Sequence, residues 1–130
     1  MADEKILMVM LAVTDMAKAK AFYADQLGWS VTKDLGQGAH HWVTLELPGG
    51  GASVTLTTMH GEMKPGAMMF YLSTSDIEAT YNEFKAKGVE VNEVKDDLYG
   101  PGSGVKWFGP ITDPDGNVWT VAQTTLPPGR

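Results

Sequence analysis

The chain has 130 residues, 43% of them hydrophobic, a formal net charge of −6 and no cysteine. That length suits one compact domain with a sizeable core, and no apolar run is long enough to span a bilayer, so a membrane protein is not expected. The acidic balance argues against a nucleic-acid binder, whose phosphate contacts need a concentrated basic surface, and the absence of cysteine removes disulfides, thiolate metal sites and cysteine nucleophiles together.

Met1-Ala-Asp-Glu-Lys5 places acids before a brief apolar strand, the wrong charge pattern for a secretory signal or transit peptide, so a cytoplasmic location is expected. Residues 6–13 read as a strand with Val9, Leu11 and Val13 on one face and Met8, Met10 and Ala12 on the other, which predicts burial on both sides. Thr14 or Asp15 caps a helix over 16–27, whose Ala19, Phe22, Tyr23 and Leu27 form an apolar stripe and whose stop is Gly28. Three strands are predicted next, at 29–34, 41–47 and 53–58, joined by the glycine turns at Gly36-Gln-Gly38 and Pro48 to Gly51. Residues 59–67 look like a linker. The pattern then restarts with a strand over 68–74, an Asp76 cap, an amphipathic helix over 77–87 and a stop at Gly88. Strands at 90–95, 105–109 and 118–123 complete the series, and the tail at 124–130 is read as irregular. Lys18, Lys20, Lys85 and Lys87 fall in the two helices and read as solvated faces, not as a phosphate track.

One unit, strand, helix and three strands, therefore occurs twice, with module 1 at about 5–58 and module 2 at about 68–123. Asp15 answers Asp76 and Gly28 answers Gly88. Gly51-Ala-Ser-Val-Thr55 matches Gly116-Asn-Val-Trp-Thr120 at equal offsets. Asp113-Pro-Asp-Gly116 is strong turn chemistry, because Pro presets φ and Gly accepts positive φ.

The two Asp-capped helices, Ala21-Phe22-Tyr23 with Leu27-Gly28, and Asp113-Pro-Asp-Gly-Asn117 resemble the vicinal oxygen chelate superfamily, also called the glyoxalase/bleomycin-resistance/dioxygenase superfamily. The resemblance covers roughly residues 6–123 and implies a single α+β domain of two tandem βαβββ modules whose mixed sheets form a cup around a small molecule, commonly in a homodimer. Metal-using relatives take one ligand from each first strand, seven residues before the capping Asp, and one from each fourth strand, four residues after the turn Gly. Those positions are Met8, Met69, Thr55 and Thr120 here. Thioether sulfur suits Cu(I) and a Thr hydroxyl is a weak neutral ligand, whereas common divalent metals take carboxylate, imidazole and water. No metal and no cofactor are therefore expected.

Other side chains also carry groups capable of chemistry. His40 and His41 are adjacent on a strand and point to opposite faces, so they do not readily share a metal, although one reaches the pocket rim if its face is the cup. His60 with Glu62 sits in a glycine-containing linker, a poor cage. Glu46 belongs to the face opposite Leu45 and Leu47. If that face is the cup, Glu46 is a buried carboxylate and candidate general base; if the face is solvated, it is an ordinary strand charge. The loop from Asp96 to Gly104 lacks phosphate-loop spacing and reads as a hairpin or lid carrying Tyr99 as a ligand contact. Met8 and Met10 share one face, Met69 and Tyr71 another, and together with Thr55 and Thr120 they suit an adaptable apolar pocket. The expected function is binding of a small apolar or aromatic molecule in a metal-free cup. The alternative is a lyase, isomerase or dioxygenase with relocated ligands or a metal-independent base such as Glu46, and a third reading is an interaction domain with a filled cup.

Overall fold

The computed structural model describes residues 2–59 and 61–123; His60 and the tail at 124–130, both named above, lie outside the described residues. The chain divides into two compact units. The first takes in residues up to Met68 and, from much later in the chain, Asp113–Asn117.

In the first unit, β1 (Met8–Ala12) leads to α1 (Met16–Lys20), which runs into a π-helical stretch at Ala21–Gln26, followed by β2 (Ser30–Gln37), β3 (His40–Glu46) and β4 (Ser53–Thr57). The sheet order is β1-β4-β3-β2, with β1 parallel to β4 and the other pairs antiparallel. Of the two capping candidates it is Asp15 that caps α1, its Oδ1 accepting the Lys18 N–H at 3.1 Å. The predicted apolar stripe is the buried face, since Ala19, Phe22, Tyr23 and Leu27 all lie inside with Leu11, Val43, Leu45, Val54 and Leu56 from one face of the sheet. Gly28, at φ 80°, supplies the left-handed stop.

Two expectations for this unit are corrected. The first strand is shorter than predicted and is not buried on both sides: Ile6 and Leu7 precede it and are exposed, because only the Leu7 carbonyl is engaged there, accepting from Ser53 N–H and hydroxyl. The helix does not stay α-helical to Leu27. The Leu27 N–H bonds the Phe22 carbonyl five residues back, which widens the last turn and seats Tyr23 against Trp29, ring centroids 5.2 Å apart.

The Asp113 carboxylate is buried and organises this unit. Its Oδ1 accepts the backbone N–H groups of Asp115, Gly116 and Asn117 at 3.0, 2.9 and 2.8 Å. Its Oδ2 accepts the Tyr23 hydroxyl and, at 2.8 Å, the Asn117 side-chain amide. Asn117 in turn accepts the Met68 N–H at 3.0 Å, and Asp115 Oδ1 accepts both the N–H and the hydroxyl of Thr14 at 3.1 and 2.6 Å.

The second unit holds β5 (Met69–Thr74), α2 (Ile77–Ala86), β6 (Trp107–Thr112) and β7 (Val118–Gln123), with sheet order β5-β7-β6 and β5 parallel to β7. Asp76 caps α2 by accepting the Ala79 N–H at 3.1 Å. The core is aromatic: Phe70 stacks on Trp119 at 4.3 Å, and Phe108 meets Tyr81 and Phe84 of α2 edge-on. The strand predicted at 90–95 does not form. Val89, Val91 and Val94 break a two-residue alternation, the Asn92 amide turns to the Gly109 carbonyl, and a single bridge from Lys95 to Trp107 remains. The strand predicted at 105–109 is displaced to Trp107–Thr112, because β6 is an edge strand and tolerates Pro110 at a bulge between Phe108 and Ile111. The sheets of four and three strands with few helices make an α+β, glyoxalase-like fold.

Replacing Asp113 with Ala removes the carboxylate acceptor of five donors at once, of which the Gly116 N–H keeps the backbone carbonyl of residue 113; unfolding in urea is expected to show a loss of at least about 3 kcal/mol, with Tyr23→Phe costing roughly half as much.

On the exposed side of the first unit, Asp34 bridges Lys20 Nζ at 2.5 Å and His41 Nε2 at 2.6 Å. The Lys20 hydrogen bond, and then that of His41, hold its carboxyl below the usual 3.8. The folded-state value is depressed, so the associated stability is present above the unfolded value and is lost as pH falls through the folded one. In Lys20→Met, the Asp34 carboxyl followed by carbon-detected NMR is expected to titrate at higher pH, nearer 3.8.

Candidate functional site

Each sheet has one face turned to its helix and one turned away. The register assigns the side chains of the second, helix-free face. In the first unit, Met10 pairs with Thr55 and Thr55 with Thr44, while Met8 pairs with Ser53 and Trp42 with Thr57. In the second, Met69 pairs with Val118, Tyr71 with Thr120, and Ala122 with both Ser73 and Trp107. The correspondence read from the turn glycines therefore holds in register. Met8 and Met69 each pair with the residue two before the matched threonine.

The helix-free face of the first sheet is polar but closed. Thr55 is fully buried and Thr44, Ser53 and Thr57 nearly so, while Met8, Met10 and Trp42 are half-buried. A chain of hydrogen bonds crosses it: Trp42 Nε1 to Thr44 Oγ1 at 3.0 Å, Thr44 Oγ1 to Thr55 Oγ1 at 2.9 Å, and Thr55 Oγ1 to Met8 Sδ at 3.5 Å. Indole N–H only donates and a thioether only accepts, so the protons must run from Trp42 through Thr44 and Thr55 to Met8. Each hydroxyl proton is thereby committed. Thr55 underlies the surface and does not form it.

The corresponding face of the second sheet is open and apolar. Met69 is 67% and Tyr71 62% exposed, and Trp107, Val118 and Ala122 are half-buried beside them. Thr120 is buried at the centre, where Gly109 (φ 148°) approaches so near that a Cβ there would lie 3.2 Å from Thr120 Oγ1. Tyr99, 81% exposed, stands on the loop between Lys95 and Trp107.

Glu46 shares a face with Thr44 and Thr55 but is exposed at the end of β3, with a 3.4 Å contact from Thr32 Oγ1, so it is not the buried carboxylate that one reading envisaged. His41 is taken up by Asp34, and His40 is exposed. The donors at the family's four ligand positions do not fit a divalent metal. They are two thioethers and two hydroxyls without negative charge, and Thr55 and Met8 are already bonded to each other. Among the described residues, no group of three or more His, Asp or Glu is placed to hold a metal ion. Trp42 and Trp107 were not singled out from the sequence. Strand parity gives the signal for both: Trp42 alternates with buried Val43, and Trp107 with buried Phe108.

A family model for the Glyoxalase/Bleomycin resistance protein/Dioxygenase superfamily matches residues 5–121, and the chain belongs to that superfamily. Among solved structures it is similar to TnmS3, an antibiotic binding protein from Streptomyces sp. CB03234, at 28% identity and a TM-score of 0.76 over 95% of this chain and 98% of that one. It is also similar to a glyoxalase/bleomycin resistance protein from the same organism, at 27% identity and a TM-score of 0.73 over 92% of this chain and 100% of that one. A superfamily member from Sphaerobacter thermophilus DSM 20745 shares 26% identity at a TM-score of 0.72, covering 94% and 98% of the two chains. Nothing among curated proteins matches.

Thr55→Val keeps the shape but removes the acceptor for Thr44 and the donor to Met8. Thermal unfolding is expected to show a loss of about 1–2 kcal/mol, and the Trp42 Nε1–H resonance to shift as its acceptor reorients.

Proposed function

We propose that this protein binds a small apolar or aromatic molecule without metal chemistry, acting in the cytoplasm as a homodimer of single domains. The observation that carries the reading is the donor set: thioether and hydroxyl groups stand where metal-using relatives place carboxylate and imidazole. Met69, Tyr71 and Tyr99 offer exposed contact surface, whereas Thr55 and Thr120 shape the floor beneath each sheet's face. Flexible, polarizable Met beside aromatic rings suits flat apolar ligands of varied outline. Similarity to an antibiotic binding protein supports the same reading. A general-base role for Glu46 draws no support from its exposed position at a strand end.

A ligand that binds only the folded state raises the melting temperature, by the equivalent of about 2.7 kcal/mol at a hundredfold excess over Kd. Differential scanning fluorimetry against planar antibiotics and aromatic metabolites is expected to yield such a shift. If no compound shifts the transition and the protein purifies with a stoichiometric divalent ion, the enzymatic alternative replaces this reading. Light scattering after size exclusion tests the dimer, with a mass near twice 14.0 kDa expected.

A further inference from the structure

Trp107 is half-buried on an open sheet face, yet it is restrained more heavily than such a position requires. Its backbone exchanges two hydrogen bonds with Lys95, each 2.9 Å. Its Nε1–H donates to Asp97 Oδ1 at 2.8 Å, and the Lys95 ammonium lies 5.6 Å from the ring centroid. We propose that Asp97 and Lys95 are positioning residues that hold the Trp107 indole as a preformed stacking surface for a planar aromatic ligand. This inference rests on the small-molecule reading above.

An aromatic side chain turns about two torsions, and a donor tied at one edge with a cation over the ring fixes both. With its one polar hydrogen engaged by Asp97, the indole presents carbon surface to an incoming ring on the face that Lys95 does not cover, with no indole donor left to desolvate. The row across the sheet is completed by the small side chains of Ala122 and Ser73, with Tyr71 in the adjoining row, so the indole has flat neighbours on its own face. Ammonium and carboxylate cancel locally, which points to an uncharged planar ligand.

Asp97 also begins the turn that carries Tyr99. The Gly100 N–H bonds the Asp97 carbonyl at 2.9 Å, and Leu98 N–H bonds the Val105 carbonyl at 3.2 Å. One residue thus sets the indole and the base of the loop bearing the exposed tyrosine. Ordering a side chain at the moment of binding weakens affinity by up to about tenfold, and the lock removes that cost beforehand.

The test uses the full chain and acridine at pH 8, where this probe is neutral and its fluorescence reports stacking. Four indole N–H cross-peaks are expected from four tryptophans, and Trp107→Phe identifies the one that disappears. Asp97 is exposed, so Asp97→Ala is expected to fold, with its melting transition as the check. The proposal requires that Asp97→Ala move the Trp107 N–H resonance and weaken acridine about tenfold, and that Asp97→Asn, which keeps a carbonyl acceptor, restore most of the affinity. An unmoved resonance in Asp97→Ala overturns the lock, as does unchanged acridine affinity while Trp107→Phe still reduces it. If acridine affinity is absent, or indifferent to both Trp107→Phe and Tyr71→Ala, the small-molecule reading of this face itself fails. That result is distinguishable because the resonance shift is read without ligand.

Discussion

A single buried carboxylate carries the largest share of constraint in the first unit. Asp113 lies far along the chain from the helix whose Tyr23 it binds, and its two oxygens collect three backbone amides, a side-chain amide and a phenol. An anion buried among this many donors is stabilised by fixed dipoles, and all of those dipoles lose this acceptor together if it is removed. The turn at Asp113–Asn117 is consequently part of the unit that contains the first four strands, despite lying between β6 and β7. Asn117 and Asp115 extend the arrangement to Met68 and Thr14, so that the loop ahead of α1 and the start of the second repeat are fixed from one short stretch.

The same economy governs the helix-free faces. Threonine at the centre of each sheet takes the place of a family ligand, and in the first unit its hydroxyl closes a directed chain from an indole to a thioether. That face satisfies itself internally. The second face is left apolar and open, with aromatic groups restrained from the side. Superfamily membership thus fixes the scaffold, while the chemistry available on it follows from these particular side chains.

Much of this was legible from residue order alone. The Asp caps, the Gly stops and the equal offsets from Gly51 to Thr55 and from Gly116 to Thr120 located both repeats and their central strands, because caps and turns are local and carry strong residue preferences. The π-helical stretch was not legible, since a shift from a four-residue to a five-residue hydrogen bond leaves no mark in composition. β2 ran on to Gln37, past the predicted end, because Gly36 lets the hairpin close: a Cβ there would sit 1.9 Å from the His40 carbonyl oxygen. Placement of Thr55 and Thr120 on the helix-free faces followed from strand parity. Their burial did not, because parity gives direction and says nothing about what lies above a side chain. The restraint on Trp107 was not legible, because its anchor, Asp97, lies across a loop and is not a neighbour in sequence.

The Asp113 turn has one more consequence, for the covalent lifetime of the chain. An Asp-Gly bond is among the backbone linkages open to rearrangement, since attack of the unhindered glycine nitrogen on the preceding side-chain carboxyl expels water to close a succinimide ring, and hydrolysis of that ring yields an isoaspartyl linkage. At Asp115-Gly116 that nitrogen points its hydrogen at Asp113, both to Oδ1 at 2.9 Å and to the carbonyl oxygen at 3.0 Å, and the Asp115 carboxyl is occupied by Thr14. Attacker and target are both engaged by the contacts that hold the fold together. Rearrangement of this bond therefore requires the turn to open first.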